Sequence, residues 1–292
     1  MTHVFIVDTK TFKYHLEYLF AGTGASCDAP FLEDFNYQNP KKKKDGVPAT
    51  SEKNIVAMIA DISRVREGDK VIFYLQANAH EGKFYGVFKV VGDAFYDSND
   101  NNYLSVEMKK ELNLRVMIEA DEVYPLGVSE HDALDLLDGI EHPSQMCWSL
   151  IYRKLKGNRG CTMITDYESD MLISKIKAAN NNQALSGTSF SFDVLNEKII
   201  EASSTPEYKG DKKSVQIKER LLVKYNRGNA FESYLQAYIV QNCLKKPLSD
   251  LLKNNDELPV WVGNEVSCGV GMQRIDVVIS QEDENTATIN IV

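Results

Sequence analysis

Two carboxylates near the end of this 292-residue chain stand where phosphoryl chemistry would need them. Phe231, Tyr234, Leu235, Tyr238, Ile239 and Cys243 recur at helical spacing, and at about 100° per residue they form one apolar arc. Glu232 falls inside that arc, between Ile239 and Cys243. Three β-like segments follow, over residues 260–266, 273–279 and 286–292, and Asp276 interrupts the apolar run from Ile275 to Ile279. A carboxylate on a buried face is costly unless a cation or hydrogen-bond donors meet it. A helix Glu and a strand Asp together offer the oxygen ligands that Mg²⁺ prefers. A bound Mg²⁺ would lower the pKa of a water and stabilise charge on a scissile phosphate. Glu232 and Asp276 are therefore the candidate catalytic and metal-holding residues. Glu265, in the first strand, is a further candidate ligand, weighed against a solvent-facing edge residue. Taken singly, each of these acids is more often structural or surface-exposed; their joint order is what favours chemistry.

The elements that must position them come in two blocks. Residues 4–7 read as a short strand, 12–20 as a helix, and Ala21 to Ser26 as a flexible turn. Thr50 or Ser51 can cap a helix in which Ile55, Met58, Ile59 and Ile62 recur at i, i+3, i+4 and i+7. Strands are expected over 71–75, 84–91, 115–118 and 148–152. Short strands with a few packed helices predict an α+β chain whose first block is a partly closed β-barrel with helices. Near residue 178 the text turns polar and Asn-rich, which reads as a connection. The expected organisation is a first domain over 1–177, a linker over 178–213, and a second, nuclease-like α/β domain over 214–292.

Composition bounds the function. A net charge of −9 opposes non-specific binding to a polyanion, so any nucleic-acid contact needs a local concentration of Lys and Arg. The stretch Arg153, Lys154, Lys156, Asn158 and Arg159 around Gly157 contains no acid and suits phosphate contact; an ordinary solvated turn is the competing reading. Lys41 to Lys44 is a charge run in irregular text. Five scattered cysteines without a CxxC pair argue against a disulfide framework or a structural zinc. No apolar run approaches the ~20 residues of a membrane span, and no secretory signal opens the chain, so a cytoplasmic location is the expectation. Gly22-Thr-Gly24 lacks the Lys and Ser/Thr of a P-loop.

Two resemblances attach to these residues. The segment from Gly228 to Val292 resembles the PD-(D/E)XK nuclease core, a helix followed by three strands of a mixed sheet. Glu232 matches its helix carboxylate and Asp276 its motif Asp. That family then carries Glu-x-Lys on the third strand, whereas this chain reads Ile289-Asn-Ile-Val292 and stops, which implies a truncated and inactive form. The first block resembles the PUA-like superfamily, closest to its EVE branch, related to YTH. The residues that carry this likeness are Gly68-Asp69 before a strand, Gly86-Val-Phe-Lys-Val90, the basic turn Lys156 to Gly160, and the helix beginning at Thr165. The segment Asp28 to Pro48 is an insert relative to a minimal EVE domain.

The EVE resemblance implies recognition of a modified base flipped into an aromatic pocket, where stacking and edge hydrogen bonds offset the unstacking. Tyr74, Tyr85 and Trp148 are the candidate stacking residues, against the alternative that they pack the barrel. Together the resemblances predict a modification-dependent DNA endonuclease of restriction type, Mg²⁺-dependent and plausibly homodimeric. The alternative is a non-catalytic DNA- or RNA-binding module whose second half serves docking or dimerisation.

Overall fold

The computed structural model describes residues 1–24, 52–76, 81–97, 104–110, 112–134, 160–228, 231–251, 261–267, 274–282 and 287–291. The first elements are β1 (Thr2–Val7), α1 (Thr9–Glu17), β2 (Phe20–Thr23), α2 (Glu52–Ile62), β3 (Lys70–Leu75), β4 (Lys83–Val90) and β5 (Phe95–Asp97). They are followed by α3 (Ser105–Met108), β6 (Leu114–Ala120), β7 (Val128–Ser129), α4 (Glu130–Leu134), β8 (Cys161–Ile164) and α5 (Asp166–Ala179). A hairpin, β9 (Phe190–Asp193) and β10 (Lys198–Glu201), leads to β11 (Lys212–Ser214), α6 (Lys218–Asn226), α7 (Glu232–Asn242) and α8 (Leu248–Leu251). The last strands are β12 (Trp261–Ser267), β13 (Arg274–Glu282) and β14 (Ala287–Ile291).

The main sheet runs β11-β5-β6-β4-β3-β1-β8, with β2 also on β6 and β7 on β4. Only the β1–β3 pair is parallel among the described pairings of this sheet. β6 changes neighbours along its length: Leu114 and Arg115 lie between β2 and β5, while Ile118 to Ala120 pair with β4. That change curls the sheet into a half-barrel. β3 and β4 are covered on both faces, which is why Val71-Ile-Phe-Tyr-Leu75 is apolar at every position rather than alternating. Val71, Phe73 and Leu75 join the larger core with Phe12 and Leu16 of α1 and Ile55, Val56 and Ile59 of α2. Ile72 and Tyr74 face the other way, under Leu172, Ile173 and Ile176 of α5. Asp8 caps α1, accepting hydrogen bonds from the backbone N–H groups of Lys10 and Thr11.

Thr165 caps α5 in a reciprocal box: its hydroxyl accepts from the Glu168 N–H, and Glu168 Oε2 accepts from the Thr165 N–H at 2.9 Å. Glu168 is buried, and its Oε1 has no hydrogen-bond partner among the described residues. Burial pushes its carboxyl up to about 7, against the hydrogen bonds from Thr165.

Two expectations from the sequence are revised. Phe20 to Thr23, expected as the end of a helix and a flexible turn, is a strand paired with β6, with Phe20 and Ala21 fully buried. Gly22 packs closely there; an added Cβ would stand 3.1 Å from the Phe20 ring. The stretch 178–213 is packed rather than free. Phe190 and Phe192 of β9 enter the main core, and Phe192 lies 4.8 Å from Phe12 between ring centroids. Removing each from water contributes about 1.5–3 kcal/mol. The polar residues that suggested a linker are the turns around this hairpin.

α7 is buried on two sides, which joins the halves of the chain. Tyr234 and Ala237 belong to the main core, while Ile239, Val240 and Cys243 pack on Val262, Val277 and Ile279 of the second sheet. That sheet is an antiparallel meander, β12-β13-β14. Arg64, at the end of α2, is buried, paired with Asp61, and donates from Nη1 to the Val262 carbonyl at 2.9 Å. No helix among the described residues is long and apolar enough to cross a membrane.

Candidate nucleic-acid interface

Tyr74 and Tyr85 sit on adjacent strands but on opposite faces of the sheet. The register pairs Tyr74 with Phe84 and Phe73 with Tyr85, so the two phenols are directed into different cores. Tyr74 is 1% exposed; its hydroxyl donates to the Glu130 carboxylate, and its ring lies 4.9 Å from Phe84. Gly82 abuts the Tyr74 hydroxyl so closely that a side chain there would collide with it. Tyr85 is fully buried, donates to the Glu197 carbonyl at 2.9 Å, and packs against Phe12 and Phe192. Burial and the nearby Glu197 hold its phenol well above the usual range. The structure therefore does not bring these two tyrosines together as walls of one pocket. Trp148, Arg153, Lys154, Lys156, Asn158 and Arg159 lie outside the described residues, as does the run Lys41 to Lys44.

The C-terminal acids are placed differently from the expectation. Glu232 is exposed. It is the first residue of α7, and burial begins at Tyr234. A carboxylate in the first turn also favours the helix dipole without any metal. Leu235, expected inside the apolar arc, is 39% exposed, while Gln236 is buried. Asp276 is exposed too, because Val277 and Ile279 turn toward α7 and Asp276 takes the other face of β13.

Glu265 is held rather than free. Its carboxylate meets Arg274 Nη1 at 2.5 Å and Lys53 Nζ at 3.5 Å. Its backbone is left-handed, φ 52°, at the one step where the β12–β13 pairing is interrupted. Despite its burial these two cations keep the carboxyl below its ordinary range. Among the described residues no group of three or more Asp, Glu, His or Cys side chains comes close enough to hold a metal ion. Glu232, Asp276 and Glu265 thus do not make a three-ligand magnesium cradle.

The sequence reading passed over a buried charged cluster on the barrel edge. Arg115 and Asp97 are both fully buried, with Nη1 2.8 Å from Oδ2. Arg115 Nη1 also donates to the Tyr208 hydroxyl at 2.9 Å, and its guanidinium stands 4.7 Å over the Phe20 ring. Tyr208 donates to Asp97 Oδ2 at 2.5 Å, and the Asp211 N–H donates to Oδ1 at 3.1 Å. Burial raises the Tyr208 phenol far above its usual range; the Arg115 charge opposes this and Asp97 adds to it. These bonds fasten the strap 208–214, so that β11 covers the outer edge of β5. Lys212 reaches back over this strap, its ammonium 5.3 Å from both the Phe95 and Tyr208 ring centroids. An arginine inside an otherwise apolar strand, Leu114-Arg-Val-Met-Ile, was the available signal.

Residues 36–145 match the family model of the EVE domain, a PUA-like unit. The match spans α2 through α4, and the curled sheet is consistent with a PUA-like fold. An EVE domain points to a nucleic-acid-binding module. No curated protein matches the chain. Two solved structures are similar to parts of it. The NMR structure of Rpa0253 from Rhodopseudomonas palustris shares 16% identity, covering 42% of this chain and 69% of that one, with a TM-score of 0.27. A hypothetical protein from Leishmania major shares 12% identity over 61% of this chain and 97% of that one, with a TM-score of 0.35. At these scores neither likeness bears on fold or function.

Proposed function

We propose that this chain is a nucleic-acid-binding protein whose EVE domain reads a modified base in DNA. The observation that carries the reading is the EVE match over residues 36–145 on a curled, two-face-covered sheet. A flipped base is recognised by stacking and by hydrogen bonds to its edge inside a snug pocket. Tyr74 and Tyr85 serve the core on either side of the sheet, so the stacking role falls to Trp148. Arg153, Lys154, Lys156, Asn158 and Arg159, which follow it in the sequence, supply the phosphate contacts, which position the duplex without reading its sequence.

The test is fluorescence anisotropy with one labelled duplex prepared with and without modified cytosine or adenine, in competition with RNA of the same sequence. Trp148→Ala is expected to abolish discrimination between modified and unmodified duplex while leaving non-specific affinity within about threefold. Arg159→Ala is expected to weaken all duplexes alike and reduce the salt slope by about 0.9. Preference for RNA would reassign the substrate, and equal affinity for every duplex would remove base reading.

A second reading adds phosphodiester cleavage by the C-terminal half. It is favoured by the order of α7, the short α8 and then the β12-β13-β14 meander, with Asp276 on the face of β13 away from α7. In that reading Glu232 and Asp276 hold Mg²⁺, and two copies of the chain cut the two strands. Among the described residues no three-ligand group forms around them. Incubation of the modified duplex with Mg²⁺ decides it: cleavage lost in Asp276→Ala with binding intact supports the enzyme, and no cleavage leaves the binding module.

A further inference from the structure

The strap and helix that link the EVE sheet to the C-terminal half carry a charge of the opposite sign to the rest of the chain. Between Lys209 and Arg227 there are seven Lys or Arg residues and two acids, Asp211 and Glu219. That net of +5 lies in 19 consecutive residues of a protein whose total is −9. Lys209, Lys212, Lys218 and Arg227 are all exposed.

The stretch is rigidly mounted at both ends. β11 pairs with β5, a strand inside the EVE match, and the strap before it is fastened through Tyr208, Asp97 and Arg115. Beyond it Val215 and Ile217 are buried, and Gln241 of α7 donates to the Val215 carbonyl and accepts from the Ile217 N–H. α6 then exposes apolar surface among its charges: Leu222 is 48% and Tyr225 63% exposed. The Tyr225 ring packs edge-on against Phe231, 5.6 Å between centroids, and stays largely exposed amid lysines and arginines, which leaves it open to a stacked base above a neutralised backbone. A partner protein with an acidic face would meet the same charge, and it is the occupant indicated if the stripe variant leaves nucleic-acid binding and its salt slope unchanged.

We propose that residues 209–227 form a second phosphate-binding surface, continuous with the EVE sheet through β5 and β11, that tracks nucleic-acid backbone, with Tyr225 as its stacking side chain. The proposal rests on the nucleic-acid reading above and extends it to a part of the chain outside the EVE match. Charge at this stripe makes the chain's overall acidity irrelevant to binding, because phosphates meet the local field within about 10 Å.

The experiment compares wild type with Lys209→Gln/Lys218→Gln/Arg227→Gln and with a control of equal charge change, Lys10→Gln/Lys89→Gln/Lys198→Gln. Anisotropy is measured on an unmodified mixed-sequence duplex and on a single strand at several salt concentrations between about 50 and about 200 mM. The stripe variant is expected to bind at least about tenfold more weakly at the low-salt end. Its log–log salt slope should shrink by about 2.7 on duplex, about 0.9 for each phosphate contact removed. The control should keep the wild-type slope. Tyr225→Ala should weaken the single-strand complex with an unchanged slope, and no weakening removes the stacking role.

Matching melting curves confirm that the variants fold, and Lys209→Arg/Lys218→Arg should retain wild-type affinity. Equal losses in stripe and control variants, or an unchanged slope in the stripe variant, overturn the proposal while wild-type binding leaves the nucleic-acid reading standing. Wild type that binds neither nucleic acid overturns both.

Discussion

Glu168→Gln should gain stability relative to wild type as pH rises from about 5 to about 8. The wild-type carboxyl is buried at the start of α5, with one oxygen bonded to Thr165 and the other unpartnered among the described residues. Its pKa rises from 4.5 to about 7 on folding. Below pH about 4.5 both folded and unfolded chains hold the proton. Between about 4.5 and about 7 the unfolded chain loses it first, so stability falls as pH rises through this window. The total loss, complete above pH about 7, is about 3 kcal/mol at about 1.4 kcal/mol per tenfold change in proton affinity. Glutamine stays neutral throughout, and its carbonyl can still accept from the Thr165 N–H. Its buried amide costs the same at every pH, so the readout is the change in the difference between variant and wild type. Urea denaturation followed by circular dichroism at pH about 5 and about 8 should show the variant gaining about 2–3 kcal/mol on wild type across that interval. A difference that does not change with pH would refute the account, since desolvation of the carboxylate would then not govern this cap.

Two further perturbations test other parts of the fold. Burial pushes His15 down to about 3, against its hydrogen bond to the Phe20 carbonyl, so it folds neutral. Its contribution is complete above pH about 6.5 and is lost as pH falls toward about 3, a slope opposite to that of Glu168; His15→Asn should flatten this acid limb in the same denaturation series. Arg64→Met removes the partner of buried Asp61 and the bond to the Val262 carbonyl, and should cost about 3–5 kcal/mol. Adding Asp61→Leu should restore most of it; no recovery in the double variant would locate the loss elsewhere.

The elements with strong periodicity were legible in the sequence. Ile55, Ile59 and Ile62 marked α2, the apolar run 71–75 marked β3, and a helix followed by three strands was expected after residue 230, where the short α8 also intervenes. Depth was harder to read than direction. Glu232 and Asp276 were expected to be buried because apolar residues flank them, yet one begins a helix before its cover starts and the other faces away from α7. The same rule, a charge in an apolar strand, would have succeeded at Arg115, where Asp97 and Tyr208 close around the guanidinium. What separates the cases is the partner, and a partner 18 or 93 residues away leaves no trace in a local pattern. Polar composition misread the stretch 178–213 for a related reason: Phe190, Phe192 and Ile199 seat the hairpin in the core, and three apolar residues split across two short strands are too few to establish a period.

The sharing of one core between the barrel, the β9–β10 hairpin and α7 sets where this protein can be cut. A fragment ending near residue 178 would leave Tyr85 and Phe12 facing water where Phe192 had been, and the isolated second sheet would lose the α7 face that Val277 and Ile279 rest on. Such pieces would expose contiguous apolar surface and aggregate on expression. Fragment-based screening of the EVE unit therefore has to carry its downstream partner with it, and a fusion of this unit to another protein would have to be made at the far side of α7.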